Sequence, residues 1–385
     1  MANTDNRNID ERQSIITPSS REGVISIWEY LKDTSLPIVL YGTGNGADKI
    51  LNELIRRDIR ISGIFASSGF VRDRSFRGFK VEDYETLHAR FGRMIVLVCF
   101  GTSRQEVLEN IDRIACECEV YAPDVPVYGQ VLFEKNYYLE HEADFRKVRE
   151  MLSDEISKET LDAVIDYKLS GKYTCLRPCE QPAAEIKDLI QMPENSAFAD
   201  LGAYIGDTVE FYTSLFPEIS RVIAVEPDAR NFRKLSQTTS LLFCPERENS
   251  DREPHREVSV SLVRAVVSDR DGSAFVPKNL GRGVHENAEP EKGESLTAIS
   301  LVTLLKNEKA NLIKLDVEGN EKKVIEGGRS LIQRDRPSLI VSCYHRSEDL
   351  ITLPLLIKEL VPEYKVYMRH HPHLLCWDTE YIFTL

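Results

Sequence analysis

Residues 198–212 read FADLGAYIGDTVEFY, and residues 221–235 read RVIAVEPDARNFRKL. Together they form a nucleotide-binding β-α-β unit. A short apolar run ends in Asp200, and Gly202 and Gly206 then allow a tight turn and a close approach of the backbone to a ligand. A helical segment follows. A second apolar run, residues 222–225, ends in Glu226, 24 residues after Gly202. A carboxylate at that place can accept hydrogen bonds from both hydroxyls of a ribose.

The rest of the chain sets bounds on this unit. A length of 385 residues suggests two or three domains. A net charge of −13 argues against a broad phosphate-binding surface and against nucleic acid as the partner. No 18-residue apolar run occurs, so no membrane span is expected. Residues 1–20 are polar, without the apolar stretch of a secretory signal, and read as a disordered tail. Of the eight cysteines, Cys116 and Cys118, and Cys175 and Cys179, are close in sequence, but neither pair has a partner pair at zinc-ribbon spacing. Reduced thiols and a cytoplasmic location are the expectation.

A second strand-glycine-helix unit opens the chain, in LPIVLYGTGNGADKILNELIRRD (residues 36–58). Apolar residues at Ile50, Leu51, Leu54 and Ile55 have a helical period. Strands are expected over 38–41, 61–68, 94–103 and 118–124, alternating with helices, so residues 21–130 read as a small Rossmann-like domain with a parallel sheet. Its second strand ends in Ser67-Ser68 where a dinucleotide site would carry an acid. Residues 131–192 read as a helical connector. Leu139, Phe145, Val148 and Leu152 are spaced for one helix; Leu161, Val164, Ile165 and Leu169 are spaced for another, stopped by Gly171. Residues 193–385 form the larger α/β domain.

That larger domain resembles class I S-adenosylmethionine-dependent methyltransferases, and within them the FkbM family. The resemblance rests on the unit at Asp200–Glu226 and on ANLIKLDVEGNEKKVIEGG (310–328), PSLIVSCYHRSEDL (337–350) and YKVYMRHHPHLLCWDTEYIFTL (364–385). It implies a Rossmann-like sheet of seven strands, six parallel and one reversed, with S-adenosylmethionine bound beyond the strands' carboxyl ends.

On that resemblance Asp200, Gly202, Ala203, Gly206, Asp207 and Thr208 surround the methionine part of the cofactor, with Asp207 also suited to cap its helix. Glu226 takes the ribose, with Asp228 a helix cap behind it. Ser268 and Asp269 would meet the adenine, although DRDG (269–272) also suits a turn. Asp316 and Glu318 end the fourth strand, and His345 ends the fifth beside them. A neutral imidazole suits a general base, which His345 would be, oriented by Asp316 or Glu318. Arg282 and His285, in the polar loop 281–294, would cover the acceptor. His370, His371 and His373 fit no standard metal site. Mg²⁺ on Asp316 and Glu318 is compatible with the pattern but not required by it. Where the family pattern has Ser-Leu-Asp before the fourth strand, this chain has Ser300-Leu301-Val302.

The implied activity is O-methylation of a hydroxyl on a sugar, glycan or secondary metabolite, by a protein free to be a homo-oligomer. The competing reading is an NAD-linked oxidoreductase, or a nucleotide-sugar-binding protein, using the N-terminal glycine loop.

Overall fold

The computed structural model describes residues 21, 23–67, 75–243, 257–277, 293–306 and 308–385. The N-terminal sheet contains β1 (Ile38–Tyr41), β2 (Gly63–Phe65), β3 (Ser75–Phe76), β4 (Phe79–Glu82), β5 (Ile95–Val98) and β6 (Glu119–Tyr121). Their order is β3-β4-β2-β1-β5-β6, and every pairing is parallel except β3 with β4. β1 and β5 are buried at every position, as apolar strands covered on both faces are. The short β3–β4 hairpin adds to the four strands expected from the sequence; strands of two and four residues are too brief to show a period.

The connector departs from the expected pattern once. Two helices, Lys135–Glu140 and Glu142–Met151, replace the single one spaced through Leu139 and Leu152, and the break falls at His141. Leu139 turns outward, and Leu152 leaves the helix to pair with Val366. The next helix, Glu155–Ser170, is capped by Asp154 and stopped by Gly171 at φ 66°, a left-handed conformation natural to glycine. Leu161, Val164, Ile165 and Leu169 are all buried. Arg21 is buried against this helix, with Nε 2.7 Å from Asp166 and Nη2 3.1 Å from Asp162.

The C-terminal sheet has the seven strands expected: β7 (Ser196–Leu201), β8 (Ile219–Val225), β9 (Ser259–Val263), then β13 (Leu312–Leu315), β14 (Ser338–Ser342), β15 (Lys365–His370) and β16 (Thr379–Thr384). Between β9 and β13 the chain makes a separate three-stranded sheet from β10 (Val266–Ser268), β11 (Gly272–Pro277) and β12 (Gly293–Ser300). The main order is β15-β16-β14-β13-β7-β8-β9, with β16 alone antiparallel to its neighbours. This is the class I methyltransferase arrangement. The connector covers its outer edge: the amides of Val366 and Met368 donate to Ser153 Oγ and Ser157 Oγ, each at 2.9 Å. An edge strand that would otherwise present free donors is thereby closed. Val302, where the family pattern has an acid, stands exposed on the short helix Leu301–Leu305, and Asp271 bonds the Ser300 amide at its start.

Candidate active site

The carboxyl ends of β7, β8, β13 and β14 open on one cleft of about 980 Å³. The chain crosses from β7 to β8 on one side and reaches β13 on the other, so the cleft lies where strand order reverses, the usual ligand position in such sheets.

Gly202 (φ 97°) lets the β7 turn press against β13, because a Cβ there would overlap the Asp316 carbonyl oxygen. Gly202, Tyr204, Asp207 and Thr208 line the cleft, whereas Asp200, Ala203 and Gly206 stand behind that lining. Asp200 is fully buried, and the Thr208 hydroxyl donates to its Oδ2. Burial pushes this carboxyl up to about 6, although Lys314 and Thr208 oppose the shift. Asp200 therefore orients Thr208 from below. Asp207 opens its helix without a capping hydrogen bond and is exposed.

Glu226 is buried at the end of β8 and faces the cleft. The Tyr204 amide donates to Oε2 at 3.0 Å and the Asp228 amide to Oε1 at 2.8 Å. Burial pushes its carboxyl up to about 7, and these amides offset that only in part. Asp228 is the cap expected of it, accepting from the Arg230 and Asn231 amides at 2.9 and 2.8 Å.

Past Val263 the chain leaves the main sheet, so Ser268 ends β10 and Asp269 follows it, and neither follows the third main strand directly. Ala265, Val266 and Val267 line the cleft, and neither Ser268 nor Asp269 does. Their placement beside an adenine is corrected accordingly; Ser268 Oγ instead donates to Asp269 Oδ1 at 3.0 Å. Arg282 and His285 lie outside the described residues.

At the ends of β13 and β14 the acids and the histidine meet as the neighbouring strands require. His345 Nε2 is 3.4 Å from Asp316 Oδ1 and 3.6 Å from Glu318 Oε2, while Nδ1 is 3.0 Å from Glu321 Oε1. Neither ring nitrogen is aligned for a hydrogen bond, so these contacts are ion pairs. Glu321 also accepts from the Val317 and Gly319 amides. Burial alone would lower the imidazole, but Glu321, Asp316 and Glu318 outweigh it and push His345 up to about 10. Asp316 shows the opposite balance: burial would raise it, yet Lys314, 3.0 Å away, and His345 hold it near 2.

A general base must be neutral and within reach of its substrate. His345 meets neither demand well: the surrounding acids favour its protonated form, and it is fully buried and absent from the cleft wall that Asp316, Glu318 and Tyr344 form in front of it. Its burial and the charge around it do not favour the base role expected of it from the sequence. Asp316, Glu321 and His345 do gather ligand atoms within 4.8 Å of one another. Lys314 and His345 pair with those acids and offset part of their charge without a metal ion.

The rest of the lining comes from elements far apart in sequence. His371, His373, Trp377, Asp378 and Glu380 descend from the β15–β16 hairpin, and Ser103 arrives from the N-terminal domain. The histidine run works as three separate groups. His370 is buried against Thr379, with its pKa lowered to about 3 by burial; His371 pairs with Glu380 at 3.0 Å; His373 stacks on Trp377. Sequence spacing offered no sign of Ser103 or Trp377, because only the tertiary fold joins them.

The N-terminal glycine loop serves packing. At Gly42 (φ 115°) a Cβ would lie 2.8 Å from the Phe100 ring, and at Gly46 it would overlap the Cys99 carbonyl oxygen. Ser67, in place of an acid, sits 2.6 Å from the Tyr41 hydroxyl.

Sheet order and cleft define a class I methyltransferase domain. Residues 200–371 match the family model for the methyltransferase FkbM domain, and the chain carries a methyltransferase domain of the FkbM family. Among solved structures the chain is similar to methyltransferase FkbM from Methylobacillus flagellatus KT, at 18% identity and a TM-score of 0.67, over 94% of this chain and 92% of that one. The shared fold thus takes in the N-terminal domain and connector. Fainter likenesses reach precorrin-6y C5,15-methyltransferase from Geobacter metallireducens GS-15 (10% identity, TM-score 0.31, 52% of this chain and 85% of that one) and Aeropyrum pernix fibrillarin with natively bound S-adenosyl-L-methionine (17%, 0.29, 53% and 73%). No protein with a curated description matches the chain.

Proposed function

We propose that this methyltransferase takes its methyl group from S-adenosylmethionine and gives it to a hydroxyl of a sugar, glycan or secondary metabolite. The observation that carries the cofactor reading is Glu226. A buried carboxylate aimed into a cleft, with its pKa pushed up to about 7, is a group waiting for donors, and the two hydroxyls of a ribose supply them. Thr208 and Asp207 border the cleft where the methionine part would lie, and Ala265–Val267 give the adenine an apolar bed.

When bound, the cofactor supplies a methyl group already activated on sulfonium. The chain then has to align the acceptor and deal with its proton. Attack by a neutral hydroxyl builds positive charge on the acceptor oxygen. Asp316, kept ionised by Lys314 and His345, stabilises that charge, and Glu318 beside it receives the proton. His345 acts through these acids as a positioning residue. No Mg²⁺ is needed for these steps. The NAD and nucleotide-sugar readings are not favoured, since Phe100 and the Cys99 carbonyl fill the N-terminal glycine loop. A cytoplasmic location belongs to the same proposal and rests on the free thiols of the described cysteines.

Isothermal titration of the full chain tests the proposal. S-adenosylhomocysteine binds at one site and NAD gives no heat. Absence of S-adenosylhomocysteine binding by the unaltered chain would overturn it.

A further inference from the structure

The N-terminal domain has a glycine loop and a mostly parallel sheet. Its carboxyl edge faces the methyltransferase cleft. After β5 the chain runs through Gly101, Thr102 and Ser103. The Leu374 amide donates to the Thr102 carbonyl at 2.8 Å, and the two residues form an isolated bridge that joins the domains three residues before Trp377. Gly101 allows this closeness: a Cβ there would stand 2.6 Å from both His373 Cε1 and Trp377 Cε3. Ser103 then enters the cleft wall itself.

What Ser103 faces is chemically distinctive. Trp377 lies between His373, with centroids 5.7 Å apart and planes 23° apart, and Tyr344, at 6.4 Å and 27°. All three rings line the cleft, so one wall is a row of near-parallel aromatic faces. Asp316, Glu318, Asp378 and Glu380 surround the row, with Lys314 and His371 each paired to one of those acids. Ring-bearing ligands gain from aromatic walls, and carboxylates reject anions while accepting hydrogen bonds from hydroxyl and ammonium groups. The cavity, about 980 Å³, is at the upper end of the roughly 300–1,000 Å³ usual for small-molecule sites, enough for an acceptor beside a nucleoside cofactor.

We infer that the N-terminal domain is the acceptor-selecting half of the active site: its Gly101–Ser103 loop and the Trp377 ring row together hold a ring-bearing, polyhydroxylated acceptor that carries no net negative charge. The inference rests on the methyltransferase reading of the same cleft, and it gives the N-terminal domain a role distinct from nucleotide binding.

Tryptophan fluorescence tests it. The chain has two tryptophans, and Trp28 is buried in the N-terminal core, so contact quenching reports Trp377. The full chain, saturated with S-adenosylhomocysteine, is titrated with p-nitrophenyl β-D-glucoside and with p-nitrophenyl β-D-glucuronide. The glucoside quenches saturably, and the glucuronide binds about tenfold more weakly because its charge meets the carboxylates. Trp377→Phe abolishes the signal. Ser103→Phe, which crowds the wall, weakens the glucoside by about tenfold or more, and S-adenosylhomocysteine affinity by calorimetry changes by less than about twofold because the cofactor end is remote. Gly101→Ala, which displaces the ring row, acts in the same direction. No saturable quenching by the glucoside, equal binding of the glucuronide, or glucoside binding unmoved in both Ser103→Phe and Gly101→Ala would each overturn the inference. Loss of S-adenosylhomocysteine binding by the unaltered chain would instead remove the cofactor reading beneath it.

Discussion

The chain opens a Rossmann-like sheet twice, at Gly42–Gly46 and at Gly202–Gly206, and only the second opening frames a cleft. The glycines themselves do not make the difference. Gly42 and Gly202 both hold positive φ, and Gly46 and Gly202 both let a backbone carbonyl approach, from Cys99 and Asp316 respectively. What differs is the space in front and the residue at the end of the next strand. Phe100 fills the first loop, and Ser67 there bonds Tyr41. Glu226 closes the second and faces open volume. A glycine loop thus records that backbones come close; whether a ligand or a neighbouring strand benefits is decided elsewhere.

The largest test of this contrast is Glu226→Ala. Two hydrogen bonds to an ionised carboxylate, worth roughly 1.5–3 kcal/mol each, predict a loss of S-adenosylhomocysteine affinity of about 100-fold or more by calorimetry. The reciprocal change, Ser67→Glu, should leave NAD binding undetectable, because Phe100 still occupies the loop. Binding of NAD by Ser67→Glu would break the comparison. Next is Gly46→Ala. Its Cβ meets the Cys99 carbonyl, which should cost about 2–3 kcal/mol in chemical denaturation while cofactor affinity holds.

A third effect is on pH. On the proposed function Glu226 takes the ribose as a carboxylate, whereas burial in the free cleft pushes its carboxyl up to about 7. Affinity for S-adenosylhomocysteine should be full above that pH and fall about tenfold per unit below it, with proton release on binding visible near pH 6 as a buffer-dependent heat. Linkage has the opposite sign for the free protein. A carboxyl raised from 4.5 to about 7 favours the fold while protonated, and that contribution is lost as pH rises through 7. Smallest is Asp228→Ala, which removes a helix cap and should cost about 1 kcal/mol of stability, with cofactor affinity far less affected than by Glu226→Ala.

Much of this architecture was legible in the residues. Apolar runs ending in Asp200, Glu226, Asp316 and His345 marked the strands, and the order of acids along them marked the cleft's floor. Three things were not legible. Burial is a property of the assembled fold, so nothing near His345 in sequence shows that it is enclosed by three carboxylates, which favour its protonated form. The excursion into β10–β12 moves Ser268 and Asp269 off the main sheet, although their local pattern reads as strand and turn. The far wall of the cleft joins Ser103 to Trp377, 274 positions apart, and no periodicity spans that distance.

The place of β16 bears on how the chain is made. Thr379–Thr384 lies between β14 and β15, so the strand that follows all the others of this sheet in the chain is an interior one. Until residues 379–384 have left the ribosome, β14 and β15 have no shared partner, and the C-terminal domain cannot complete its core. The N-terminal sheet has all its strands once β6 is made, and its face with Val39, Tyr41, Phe65, Val96 and Val98 is covered by the connector, through Phe133, Leu161 and Val164 among others. That half would then have its strands paired when the C-terminal sheet closes against it.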